Sequence, residues 1–242
     1  MGFIKAKKPK NLEKPQDSVG SFAPLPSDVY PGTVTAAYAQ ESKQDDSEAT
    51  AVRLEITLDT GRKVTGTHWV TGKDGNVYSE VQGKKKYKQG YLFMDSLALI
   101  ATEGEAGILD LDTDEIVVKV KRDGKEENEK VESFTELLGV KVQVGIISTT
   151  KYKQNFVDGE YVDTDETITL PEMTVIFDEE GFTLNELEAE AEEPEFIEEW
   201  RKTWQGKTRE PKAKETPKGK RKNTSEDKPA SRTANRRSIV RR

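Results

Sequence analysis

Val52, Leu54, Ile56 and Leu58 fall at every second position, with Arg53, Glu55 and Thr57 between them. Only an extended strand sends alternate side chains to opposite faces, so this segment predicts a β-strand with one dry face and one wet face. Thr33 to Tyr38 repeats the alternation, and the polar loop Glu41 to Glu48 makes the two a hairpin. A lone hairpin is not stable in water, so other elements must cover that face.

The covering elements lie in the middle of the chain. Asp59-Thr60-Gly61 is a turn signal, and Arg62 to Thr71 continues as a third strand. Its alternation puts Val64, Gly66, His68 and Val70 on one face and Lys63, Thr65, Thr67 and Trp69 on the other. Gly72 to Gly90 reads as a polar loop rich in Gly and Lys, and Met94 to Ala101 as a short helix ending near Gly104. Strands are expected again at Ile116 to Lys121, before a turn at Asp123-Gly124, and at Val140 to Ile147, followed by a ragged polar loop. Ser133-Phe134-Thr135-Glu136 spells a capping box, which predicts a one-turn helix ahead of the second of these strands. Thr167 to Leu170 and Met173 to Phe177 finish the β portion, with Pro171 marking an edge or a bulge. Thr183-Leu184-Asn185-Glu186 is another capping box, opening an acidic helix through Glu193. Pro194 then starts a helix in which Phe196, Trp200 and Trp204 recur at i, i+4 and i+8, a stripe that must pack on something.

Three strands, a helix and further strands predict a mainly β fold, a small Greek-key β-barrel with the helix plugging its open end. A β-sandwich with appended helices also fits. The expected divisions are an extended arm over 1–28, the barrel over 29–178, helices packing on it over 179–206, and a disordered basic tail over 207–242.

With 33% hydrophobic and 34% charged residues and a net charge of −7, the chain looks at first unsuited to a polyanion. The charge is in opposed blocks, however. Eleven acids and no base lie between Asp178 and Glu199, whereas from Gln205 to Arg242 Lys and Arg outnumber acids fourteen to four. A phosphate responds to the local field rather than to the sum. The acidic block is either the solvated face of a helix or an attractor for a cationic groove or a partner protein.

Catalytic chemistry lacks parts. Without cysteine there is no disulfide framework and no thiolate metal site, and His68, the only histidine, cannot make a two-His zinc site. Gly66 to Lys73 fails as a phosphate loop, because five residues separate its glycines and Asp74 stands where Ser or Thr is needed. Asp110, Asp112 and Asp114 have calcium-loop spacing, but Glu115 replaces the turn glycine and Lys121 the bidentate Glu. The expectation is a non-enzymatic protein with no cofactor and no metal. Met1 to Ala6 lacks a signal-peptide run, Ala6 stands where myristoylation takes Ser or Thr, and no stretch reaches the ~18 apolar residues that span a bilayer. A cytoplasmic protein without membrane contact is expected.

What the sequence offers is aromatics interleaved with bases. Holding a single nucleic-acid strand takes cations that track phosphates and flat side chains on which bases stack. Lys84, Lys85, Lys86 and Lys88 with Tyr87, Tyr91 and Phe93 form one such cluster, and Lys151, Tyr152 and Lys153 with Phe156 another. Trp69 with Lys63 and Lys73 is the third. The expected partner is single-stranded DNA, with phosphates on Lys63, Lys84, Lys85, Lys86, Lys88, Lys151 and Lys153 and bases on Trp69, Tyr87, Tyr91 and Tyr152. Each cluster also reads as ordinary structure, the lysines as a solvated loop and Trp69 or Phe93 as core. The competing class is a protein-interaction or scaffolding module, virion-associated, whose basic tail touches nucleic acid incidentally.

Four segments carry a resemblance: Gly20 to Pro26; the run Leu137-Leu138-Gly139-Val140-Lys141-Val142; Phe177-Asp178-Glu179-Glu180-Gly181-Phe182-Thr183; and Glu193 to Trp200. Over roughly 21–207 the chain resembles the bacteriophage single-stranded-DNA-binding proteins. The resemblance implies an OB-type barrel, sequence-independent cover of unwound DNA in replication or recombination, and phage or host replication and recombination proteins as partners. Relatives of that class often end in an acidic tail, whereas this chain ends Ser238-Ile239-Val240-Arg241-Arg242.

Overall fold

The computed structural model describes residues 24–42, 46–122, 125–157 and 160–211. Most of the N-terminal arm, the Asp123-Gly124 turn and the chain beyond Pro211 lie outside them. The fold is mainly β. Strands β1 (Asp28–Glu41), β2 (Thr50–Leu58) and β3 (Lys63–Trp69) form an antiparallel meander, and Val52, Leu54, Ile56 and Leu58 are all buried, as their alternation requires. The Gly72 to Gly90 segment is not simply loop: β4 (Tyr78–Val81) and β5 (Lys84–Tyr87) make a separate hairpin. Its turn is Gln82-Gly83, both at positive φ, which is the two-residue geometry that matches strand twist.

Helix α1 (Gln89–Ala101) begins five residues earlier than its apolar pattern, and Gly90 in its first turn packs against the Trp69 backbone with no room for a Cβ. It buries Phe93, Met94, Leu97 and Ala98 against the sheet. Strands β6 (Asp114–Arg122) and β7 (Lys125–Ser133) pair along their length and meet β1 at Tyr38 and Ser133. The capping box expected at Ser133 does not form. The Ser133 hydroxyl donates to the Ala37 carbonyl, and a single 3-10 turn, Thr135–Leu137, follows without a side-chain cap.

The ragged loop expected after Ile147 is instead a long hairpin of β8 (Lys141–Val157) and β9 (Glu160–Phe177), with Pro171 inside a continuous strand and a bulge opposite Gly145 and Ile146. The first half of β8 pairs with β1, from Asp28 opposite Ile146 to Thr33 opposite Lys141. Its inward residues Val142, Val144 and Ile146 join the main core, while Ile147 faces outward. Helix α2 (Leu184–Glu188) has its Thr183–Glu186 capping box but stops well short of Glu193, with Glu190 at positive φ. Helix α3 (Glu195–Trp204) follows, burying Ile197 and Trp200 on Val29, Ile147 and Phe177. A two-residue strand, β10 (Thr208–Arg209), lies parallel to β8 inside the segment expected to be tail. Among the described residues no helix is long and apolar enough to cross a membrane.

The sheet is not closed. Its order is β10-β8-β1-β2-β3 with β9 on β8, and among the described residues β3 and β9 each have one edge without a ladder partner. Pro171 gives a physical reason. It is in register with Ser148, whose N–H donates to Ser27 on the side away from β9. The pair is therefore a non-hydrogen-bonded one, and the donor that proline lacks would have faced the free edge.

Candidate nucleic-acid interface

Between the unpartnered edges of β3 and β9 runs an open groove of about 970 Å3. Its β3 wall ends in Trp69, 47% exposed, on the outward half of that strand's alternation. Lys88 and Gln89 border it where β5 runs into α1. The β9 wall is Leu170 to Val175, Lys151 stands on β8, and α3 contributes Phe196, 41% exposed, with Trp200 and Trp204. Arg209 of β10 lies over the Trp204 ring, its guanidinium carbon 4.9 Å from the ring centre, a cation–π contact.

His68 and Phe93 form part of the floor. The imidazole is stacked on Phe93, and its Nε2 is buried without a hydrogen-bond partner among the described residues. Burial disfavours the charged ring, and although Glu172 pulls the other way, the His68 pKa falls to about 4. The floor is therefore neutral and apolar at neutral pH, suited to flat uncharged faces, while the cations stand on the walls.

The structure sorts the residues singled out from sequence. Trp69, Lys88 and Lys151 line the groove. Tyr87, 59% exposed, and Tyr91 lie with ring centres 5.4 Å apart where the β4–β5 hairpin meets α1, next to Lys88. Burial, then the Asp95 carboxylate, pushes the Tyr91 hydroxyl pKa up. Lys84, Lys85 and Lys86 are exposed along β5, and the Lys85 ammonium sits over the Tyr78 ring. Tyr152 belongs with Lys151 and Arg209 to a smaller recess bounded by Glu210 and Pro211. Two lysines are engaged elsewhere: Lys63 bonds Glu55 at 2.8 Å, holding that carboxyl below its usual range, and Lys153 bonds Glu166 at 2.7 Å. Phe93 is core.

Phe196, Trp204 and Arg209 were not among the sequence candidates for the site. The aromatic spacing of α3 was visible, but spacing alone does not tell a packed ring from an exposed one. Comparison of the chain with protein-family models, with curated proteins and with solved structures finds no match.

Proposed function

We propose that this protein binds single-stranded DNA without regard to sequence, in the groove between β3 and β9 of an OB-type Greek-key barrel left open on that side. The observation that carries the reading is the meeting of three accessible aromatics, Trp69, Phe196 and Trp204, with three cations, Lys88, Lys151 and Arg209, along one groove. Unpaired bases offer flat faces to such rings, each stack worth ~1–3 kcal/mol, while a duplex keeps its faces hidden. The strand order supports the barrel, with β8 returning beside β1 after the intervening helix. A place in phage replication or recombination, with the corresponding partner proteins and a host cytoplasmic location, follows from the resemblance of the sequence.

The test is a truncation after Pro211. Cutting at Gln205 would also remove β10 and Arg209, so only the later cut separates groove from tail. Titrated with oligo-dT, a duplex of equal length and RNA at two salt concentrations, the truncated protein should keep its preference for single strands. If it loses nearly all affinity and the preference with it, the nucleic-acid contact belongs to the tail, and the scaffolding reading stands instead.

A further inference from the structure

Among the described residues lining the groove, Glu172 is the only acid, and it lies between two of the three cations. Its Oε2 accepts from Arg209 Nη1 at 3.1 Å and from the buried Thr149 hydroxyl at 2.9 Å, and its Oε1 is 3.5 Å from Lys151 Nζ. This is not a pair of long side chains meeting by chance on a surface. Thr149 is anchored in β8 and pairs in register with Arg209 on one side and Leu170 on the other, so the carboxylate is placed from two directions. Arg209 is further fixed by the Trp204 ring.

We propose that Glu172 is a built-in stand-in for a nucleic-acid phosphate. In the free protein it holds Lys151 and Arg209 at the groove wall, and in the complex it competes with the strand for the same donors, which keeps the grip reversible. The inference rests on the single-strand reading of the groove. A carboxylate and a phosphate oxygen make the same charge-assisted bonds to Lys and Arg, so a cluster of two cations and one anion meets an incoming strand with one net positive charge instead of two. A protein that covers a strand must also be cleared from it, and an internal competitor accelerates release without removing any stacking face.

Glu172→Gln keeps the shape and can still accept from Thr149 while freeing one net charge. Its affinity for oligo-dT should rise about tenfold at low salt, mainly through slower dissociation, with a salt dependence steeper by about 0.7, the increment for one more neutralised phosphate on a single strand. Removing a cation as well, in Lys151→Gln/Glu172→Gln, should restore the wild-type slope. Glu172→Asp, which keeps the charge, should leave the slope unchanged and serves if the Gln variant folds poorly. An affinity for oligo-dT at or below wild type in Glu172→Gln overturns the proposal. Tripolyphosphate, followed by tryptophan fluorescence, reads the freed cations independently of DNA. A gain in Glu172→Gln supports the role of Glu172, and no gain overturns it. Failure of the wild-type protein to bind oligo-dT, by contrast, overturns the single-strand reading itself.

Discussion

The His68 imidazole lies flat on the Phe93 ring, centres 4.2 Å apart and planes within 7° of parallel. The contact needs a neutral ring, since burial penalises the charged form and brings the pKa to about 4 from the 6.5 of an unperturbed histidine. The sign follows from linkage: a depressed folded-state pKa means that the unfolded chain binds the proton first. The contribution to stability is fully present above pH 6.5 and is lost as the pH falls from there towards 4. His68→Phe removes the titrating group and keeps the stack. Urea midpoints of both proteins between pH 7 and 4 should show the wild type losing more stability than the variant, and parallel curves would refute the argument.

Ser27 is a small buried residue with a large structural task. Its Oγ accepts from the Ser148 N–H at 2.8 Å and donates to the Lys207 carbonyl, and its own carbonyl accepts from the Gly206 N–H. It fills the gap between the start of β1 opposite Ile146 and β10, which pairs from Ser148 onward. Ser27→Ala leaves the Ser148 N–H buried without that acceptor, at a cost of ~1–3 kcal/mol. Chemical denaturation should show the loss, and hydrogen exchange should place it at Ser148 and β10. Uniform exchange across the sheet would contradict this.

How much of this could be read in the sequence depends on whether an element has a dry face. β2 and the inward half of β8 write theirs as alternating Val, Leu and Ile, and both stand where the pattern puts them. β7 runs Lys125 to Ser133 with four acids and two lysines, so no pattern announces it; it is a strand because β6 pairs with it residue by residue. In the outer half of the β8–β9 hairpin, Ser148 to Glu166 likewise reads as loop, its order coming from cross-strand pairing such as Gln154 with Asp163. For the site, Trp69 was legible because strand alternation points it outward. Arg209 was not, because its place depends on a parallel pairing of two residues to a strand some sixty positions earlier.

Gly145 and Trp200 are matched in the same way across the outer face of β8. A Cβ on Gly145 would lie 3.0 Å from Trp200 Cε2 and would strike the Val175 side chain. The bare backbone is thus the seat for the indole, and α3 docks through it and through Ile197 on Ile147 and Phe177. Gly145→Ala should cost ~1–3 kcal/mol through overpacking, and Trp200→Ala ~3–5 kcal/mol through the cavity left behind. Because α3 also carries Phe196 and Trp204, both variants should weaken oligo-dT binding beyond what their stability loss explains. Binding measured at a temperature where both remain folded checks this, and wild-type affinity there would detach α3 from the site.

Trp69 and Lys63 stand at opposite ends of β3. Trp69 is exposed at the groove end of the strand, whereas Lys63, on the same face, is tied to Glu55, which also accepts from the Thr35 hydroxyl. An exposed ion pair of this kind contributes little, ~0–1 kcal/mol, and has no charge left over for a phosphate. Trp69→Ala should therefore lower affinity for oligo-dT by ~1–3 kcal/mol at every salt concentration, since stacking is not screened. Lys63→Gln should change neither the affinity nor its salt slope. Lys88→Gln should lower affinity mainly at low salt and flatten the slope by about 0.7, the signature of one lost phosphate contact. If Lys63 proves as sensitive as Lys88, the strand runs over the open face of β2 and β3, outside the groove.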